Sequence, residues 1–67
     1  MVCRAIDEYL TENGIKYTFV AGKIGVSDSI FSMMMKGKRK ISADEFVAIC
    51  RVLGVSADTF TTPAHNN

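Results

Sequence analysis

Tryptophan is absent from this chain, and proline, histidine and cysteine are rare. There is one proline, one histidine and two cysteines among 67 residues. Cys3 and Cys50 are too few and too far apart for a disulfide framework or a zinc site, and His65 has no other metal ligand at a suitable spacing. We therefore expect two reduced, buried thiols, no metal and no cofactor.

Long apolar runs and a large net charge are also missing. No uninterrupted apolar segment reaches the roughly 20 residues that a membrane span requires, and the first residues lack the charged-then-apolar order of a signal peptide. These absences predict a cytoplasmic protein without a membrane partner. The formal net charge of +1 does not indicate nucleic acid by itself. The distribution of charge is more informative, because a cluster of four cations occupies one short stretch: Lys36, Lys38, Arg39 and Lys40.

Catalytic arrangements are missing as well. There is no nucleophile with a base at a suitable spacing and no glycine-rich phosphate loop, and a chain of 67 residues has little room for a cleft. We therefore expect neither an enzyme nor a small-molecule substrate. The hydrophobic content of 48% is high for one small domain, so part of the apolar surface is expected to be buried in a dimer.

Apolar residues recur at helical spacing along most of the chain. The pattern predicts helices at about 2–13 and 17–24, a third that Ser27 caps and Gly37 ends, and a fourth that begins with a capping box of Ser42 and Glu45. One short further turn follows Gly54. The expected fold is all-α, a compact bundle of four helices plus a short fifth at 1–60, with a flexible tail at 61–67.

The segment from Lys16 to Lys38 has the spacing of a helix-turn-helix. Ala21 is small where two helices would cross, and Gly25 follows four residues later, where the chain would turn through a left-handed conformation. Phe31 and Met34 would face inward from the third helix and set its angle. A helix held in this way presents its N-terminal, outward residues to the major groove of DNA.

Taken together, these residues resemble the Xre/Cro family of helix-turn-helix regulators, the class of phage repressors and Cro, from about residue 5 to 60. The matching residues are Ala21, Gly25-Val26-Ser27, Phe31-Ser32, Gly37-Lys38 and the apolar pattern of 46–56. The resemblance implies a lambda repressor-like domain that acts as a homodimer on a palindromic operator in double-stranded DNA. It also implies that the third helix reads the bases.

Two sets of DNA-contacting residues follow from this resemblance and from the basic stretch after the third helix. The base-facing set is Ser27, Asp28, Ser29, Ser32 and Met33. The phosphate-binding set is Tyr17, Thr18, Lys23, Lys36, Lys38, Arg39 and Lys40.

Three of these residues depart from the family's pattern. Met33 stands where relatives frequently have arginine or glutamine, so it would offer only apolar contact to a thymine methyl. Asp28 would be repelled by phosphates unless it accepts a hydrogen bond from a cytosine amino group or caps the helix. Tyr17 replaces a frequent glutamine and could still donate to a phosphate. The alternative function is a protein-interaction module on the same scaffold, antitoxin-like or anti-repressor, with weak or lost DNA binding.

Apolar residues at unusual positions leave further alternatives open. Met33, Met34 and Met35 cannot all face inward from one helix, so we expect Met34 in the core, Met33 toward DNA and Met35 to the side. Phe19 occupies a position that is usually polar in relatives, and it belongs either to an interface or to a helix rotated from the predicted placement. Gly22 is either tolerated within its helix or permits close approach of another backbone.

Overall fold

Residues 2–61 are described by the computed structural model, and over that range the chain forms five α-helices and no strand. The predicted all-α bundle of four helices plus a short fifth is therefore confirmed. The first helix ends one residue earlier than expected, and the fifth includes residue 61, while residues 62–67 of the predicted tail lie outside the described residues. The helices are α1 (Val2–Glu12), α2 (Tyr17–Ile24), α3 (Asp28–Met35), α4 (Ala43–Leu53) and α5 (Asp58–Thr61).

The core is made of apolar side chains that recur about one turn apart on each long helix. Ile6 and Leu10 form the inner stripe of α1, and Phe31 is fully buried on α3. α2 packs against α3 and α4, and α1 packs against α3 and α5. Each fully buried large apolar side chain contributes roughly 1.5–3 kcal/mol of transfer free energy. The buried core residues are Ile6, Leu10, Val20, Ala21, Phe31, Met34, Met35, Ile49, Cys50 and Phe60.

The short α5 is held by aromatic contacts. Phe60 meets the ring of Tyr9 edge-on with centroids 5.6 Å apart, and it meets Phe46 at 6.3 Å. A helix of four residues is too short to be stable by its own hydrogen bonds. The attachment of α5 to α1 and α4 therefore depends on the packing of Phe60.

The turn between α2 and α3 has the predicted form. Gly25 adopts φ 81°, a left-handed conformation that costs other residues free energy. The N–H groups of Gly25 and Val26 both donate to the carbonyl oxygen of Ala21, at 3.0 and 3.1 Å. Ser27 then caps α3, because its Oγ accepts a hydrogen bond from the N–H of Ile30 at 3.1 Å. The α4 capping box of Ser42 and Glu45 is confirmed as well.

Two predictions about burial were wrong. Met35 is buried rather than turned to the side, with 4% of its surface exposed, because it lies one turn after Phe31 on the same face of α3. Cys3 is half-buried rather than buried, since it lies in the first turn of α1, at the end of the stripe formed by Ile6 and Leu10. Cys50 is buried as predicted, and this burial raises the pKa of its thiol. Both cysteines are free.

Candidate nucleic-acid interface

Opposite faces of α3 have opposite character. Phe31, Met34 and Met35 are buried against the other helices. Asp28, Ser29 and Met33 are exposed, and Ser32 is half-buried. At 100° of rotation per residue, Ser29, Ser32 and Met33 lie on the side of α3 away from Phe31 and Met34. The helix therefore presents a short polar face with one apolar side chain, Met33, which is 42% exposed.

A side chain at the N-terminus of α3 caps one of the backbone donors in its first turn. Ser27 uses its oxygen as the cap acceptor, and its hydroxyl proton remains available for donation. Asp28 lies in the first turn, where a carboxylate interacts favourably with the positive end of the helix. Two roles were predicted for Asp28, a hydrogen bond to cytosine and capping of the helix. Its position in the first turn is compatible with stabilising the N-terminal end of α3 even without DNA.

The N-terminal residue of α2 is engaged with α1. The hydroxyl of Tyr17 donates a hydrogen bond to Oδ1 of Asp7. That hydrogen bond, followed by burial and the negative charge of Asp7, raises the pKa of Tyr17 to about 12. The ring of Tyr17 also packs edge-on against Phe31, with centroids 5.3 Å apart. Since a phenol has one proton, Tyr17 can donate to a phosphate only by giving up Asp7.

The loop between α3 and α4 carries the basic cluster. Lys36, Lys38 and Lys40 are exposed, whereas the guanidinium of Arg39 donates to both carboxylate oxygens of Glu45 at 3.1 Å. Three of the four predicted phosphate-binding cations of this loop are therefore displayed to solvent next to the C-terminal end of α3. The fourth cation, Arg39, is paired with the carboxylate of Glu45.

The outer face of α2 includes the remaining predicted phosphate contacts. Thr18 and Lys23 are exposed, and the Nζ of Lys23 lies 5.7 Å from the centroid of the Phe19 ring. Phe19 is 52% exposed although Val20 and Ala21 are fully buried, so α2 is not rotated from its predicted placement. The remaining alternative for Phe19 is an interface.

Gly22 lies on the same outer face of α2 as Phe19. A side-chain carbon built at Gly22 would meet no atom within 4 Å, so no neighbouring backbone in the described chain requires a glycine there. As far as contacts among residues 2–61 are concerned, the remaining alternative is that Gly22 is simply tolerated within α2. An additional methyl group at this position would project into open space.

Two contacts of predicted site residues were not found from the sequence. The Tyr17 bond to Asp7 joins residues ten positions apart on different helices, and no local pattern indicates it. The Arg39 pair with Glu45 has a partial signal in the sequence, because the capping-box pattern already indicates a structural role for Glu45. A carboxylate in a capping box six residues after an arginine could have indicated the pair.

Within residues 2–61, no group of three or more potential ligand side chains could hold a metal ion. None of the helices in that range has both the length and the apolar content needed to cross a membrane.

The comparison with protein families agrees with this geometry. The family described as helix-turn-helix matches residues 6–60, from the core residue Ile6 of α1 to Phe60 of α5. Comparisons with curated proteins and with solved structures each gave no match. Domains of the matched family are DNA-binding regulators that are typically not enzymes. With the α2–turn–α3 geometry around Gly25 and a family match over most of its length, the chain belongs to the Xre and lambda repressor-like helix-turn-helix family of DNA-binding proteins.

Proposed function

We propose that this protein is a sequence-specific transcriptional regulator of the phage Cro and repressor type. In this proposal α3 lies in the major groove of operator DNA. The observation that supports it best is the arrangement of α3, whose exposed polar face is followed directly by three exposed lysines. A buried opposite face holds that surface at a fixed angle to the rest of the domain.

The base-facing set is proposed to read pyrimidines as well as shape. Asp28 can accept a hydrogen bond from the amino group of cytosine, and Met33 can contact the methyl group of thymine. The hydroxyls of Ser27, Ser29 and Ser32 can bond to bases or to phosphates. Since none of these side chains is a bidentate donor, we expect modest discrimination between related sites.

The phosphate-binding set is proposed to consist of exposed residues on both sides of α3. Its members are Thr18, Lys23, Lys36, Lys38 and Lys40. Tyr17 and Arg39 are left out of this set, because the one hydroxyl proton of Tyr17 is donated to Asp7 and the charge of Arg39 is paired with Glu45.

A homodimer on a palindromic site completes this proposal. Two α3 helices would enter successive major grooves about 34 Å apart, which is one turn of DNA. The exposed apolar side chains Phe19, Met33 and Val47 are consistent with additional surface to be covered by a partner or by DNA. Such a regulator would act in the cytoplasm, where bacterial or phage operators are accessible.

The direct test is a titration of a fluorescent duplex at low salt, followed by selection of the best sites from a random pool. We expect binding below tens of micromolar and enrichment of an inverted repeat. Lys38→Ala should reduce the slope of log K against log salt by about 0.9 for each bound protomer. The control is Arg51→Ala, an exposed cation about 12 Å along α4 from its N-terminal end, which should leave the slope unchanged.

The second candidate function is a protein-interaction module on the same scaffold. It is favoured by Phe19, which is 52% exposed beside Lys23 on the outer face of α2. An antitoxin-like or anti-repressor domain would use such a face for a protein partner rather than for DNA. The absence of duplex binding at tens of micromolar protein and low salt would rule out the regulator and favour this alternative.

A further inference from the structure

The four cations in the loop between α3 and α4 are of two kinds. Lys36, Lys38 and Lys40 are exposed, and within residues 2–61 none of them forms an ion pair. Arg39 keeps 37% of its side-chain surface exposed and pairs with Glu45, whose side chain is 20% exposed. One cation of the cluster is therefore directed to the protein, and three are directed to solvent.

The contact of Arg39 is a two-bond fork. Its Nη1 and Nη2 donate to Oε1 and Oε2 of Glu45 at 3.1 Å each, and Nη1 also donates to the carbonyl oxygen of Lys40 at 3.3 Å. Glu45 Oε1 accepts a further bond from the N–H of Ser42 at 2.9 Å. These bonds close residues 39–45 into a ring at the start of α4. A planar fork of this kind needs arginine, because a lysine ammonium cannot donate two parallel bonds.

The charge of Arg39 is largely matched within this ring. The guanidinium of Arg39, and next the N–H of Ser42, lower the pKa of the Glu45 carboxyl. Glu45 is therefore ionised at neutral pH, and the pair has no net charge. A phosphate approaching Arg39 would have to compete with this carboxylate.

The other end of the loop is attached to α3. The backbone N–H groups of Lys38 and Arg39 both donate to the carbonyl oxygen of Met33, at 2.9 and 3.3 Å. Met33 is also an exposed residue of the proposed base-facing set. The loop thus runs from the end of α3 to the Arg39–Glu45 pair at the start of α4. Lys38 and Lys40 directly precede and follow Arg39 in this loop.

We propose that Arg39 is a positioning residue for DNA binding. Through Glu45 and the carbonyl of Lys40 it holds the loop in the conformation that presents Lys38 and Lys40 to phosphates, and it makes no phosphate contact itself. This role rests on the proposed DNA-binding function. It reassigns Arg39 from the phosphate-binding set that the sequence predicted.

Salt dependence separates positioning from contact. Fluorescence anisotropy of a labelled duplex gives the slope of log K against log salt, expressed per bound protomer, for the wild type, Lys38→Ala, Arg39→Ala and Arg39→Lys. Lys38→Ala should lower the slope by about 0.9. Arg39→Ala and Arg39→Lys should both weaken binding by about 3- to 10-fold with the slope of the wild type, because neither rebuilds the fork. The double variant of Lys38→Ala and Arg39→Ala should lose about one unit of slope rather than about two.

A double-mutant cycle tests whether Arg39 acts through Glu45. Arg39→Ala combined with Glu45→Gln should bind no more weakly than Arg39→Ala alone, since both changes break the same fork while glutamine can still accept the N–H of Ser42. Amide hydrogen exchange should show a faster rate at Ser42 in Arg39→Lys than in the wild type, without DNA present. Additive losses of affinity, or unchanged exchange at Ser42, would contradict the role.

The outcomes also separate this role from the function on which it rests. If Arg39→Lys keeps wild-type affinity while Arg39→Ala lowers the slope by about 0.9, Arg39 contacts phosphate and the positioning role is overturned. If the wild type binds no duplex at low salt, the proposed function itself is overturned, and the positioning role with it. Thermal melting of each variant confirms that the compared proteins are folded.

Discussion

Tyr17 connects three helices from the first position of α2. Its ring packs against Phe31 of α3, and its hydroxyl donates to Asp7 of α1. The helix-turn-helix is thereby joined to α1 by one side chain that is half-buried. A hydrogen bond to a charged acceptor in such a site is worth about 1.5–3 kcal/mol before exposure reduces it.

Replacing Tyr17 with phenylalanine keeps the ring and removes only the hydroxyl. We expect the free energy of unfolding, measured by denaturant titration, to fall by about 1 kcal/mol. The matched control is Tyr9→Phe, because Tyr9 is also half-buried against an aromatic ring and its hydroxyl makes no hydrogen bond within residues 2–61. A loss at Tyr9 equal to that at Tyr17 would show that the Asp7 bond contributes nothing.

The same bond predicts a dependence on alkaline pH. The pKa of Tyr17 is raised from 10.0 to about 12 in the folded protein, so the folded state holds the phenol proton more tightly than the unfolded state. The resulting stabilisation is complete below pH 10 and is lost as the pH rises through about 12. The wild type should therefore lose more unfolding free energy over this range than Tyr17→Phe. Parallel stability curves for the two proteins would contradict the assignment.

Adjacent methionines on α3 have different roles. Met34 is fully buried, and Met33 is 42% exposed on the proposed base-facing side. Met34→Ala should lower the free energy of unfolding by about 2–4 kcal/mol through lost burial and a cavity. Met33→Ala should change it by less than about 0.5 kcal/mol. Circular dichroism during denaturant unfolding measures both, and a large loss at Met33 would place it in the core instead.

At the scale of the element, the turn between α2 and α3 sets the orientation of α3, the proposed reading helix. The carbonyl of Ala21 accepts two backbone bonds from the turn, and Ser27 caps the helix that follows. These are short-range bonds, so they form whenever α2 and α3 form. The direction in which α3 leaves the turn depends on Gly25, the one residue of this turn at positive φ.

Two glycines of this element should respond in opposite ways to alanine. Gly25→Ala should cost about 1 kcal/mol, because alanine is strained at φ 81°. Gly22→Ala should instead stabilise the protein by about 0.5–1 kcal/mol, since Gly22 lies inside α2 with open space around it. Melting temperatures of the two variants against the wild type test both signs. A destabilising Gly22→Ala would indicate that a partner packs closely on this face.

At the scale of the whole molecule, a small core is accompanied by a few exposed large apolar side chains. The described residues bury ten hydrophobic side chains, while Phe19, Met33 and Val47 remain exposed. A domain of this size is expected to have only a few kcal/mol of stability as a monomer. Any association that covers apolar surface would therefore change its measured stability substantially.

The proposed homodimer predicts that stability depends on protein concentration. Because only the folded protein dimerises, the melting temperature should rise as the protein concentration increases from micromolar to millimolar. Phe19→Ser tests whether the outer face of α2 takes part, since this change should remove the dependence without a loss of core packing. Sedimentation over the same concentrations provides an independent measure. A constant melting temperature with monomeric sedimentation would contradict the dimer.

Features that depend on short-range spacing were predictable from the residues alone. Ser27, Ser42 and Gly25 mark helix boundaries because capping and left-handed turns involve neighbours within a few positions. The burial of Met34 and the exposure of Met33 follow from the rotation of one helix. The family match over residues 6–60 confirms the fold that these signals indicate.

Features that depend on the meeting of separate elements appeared only with the packed bundle. Met35 is buried because other helices cover the side of α3 that it shares with Phe31, and the spacing of the two residues does not indicate how far that cover extends. Tyr17 and Arg39 are both polar residues at positions that suggest phosphate binding. Tertiary packing places Asp7 beside Tyr17, and the loop between α3 and α4 places Arg39 beside Glu45. A donor's availability to DNA is thus set by the acceptors that folding brings within reach, and no local pattern indicates the acceptor that Tyr17 meets on another helix.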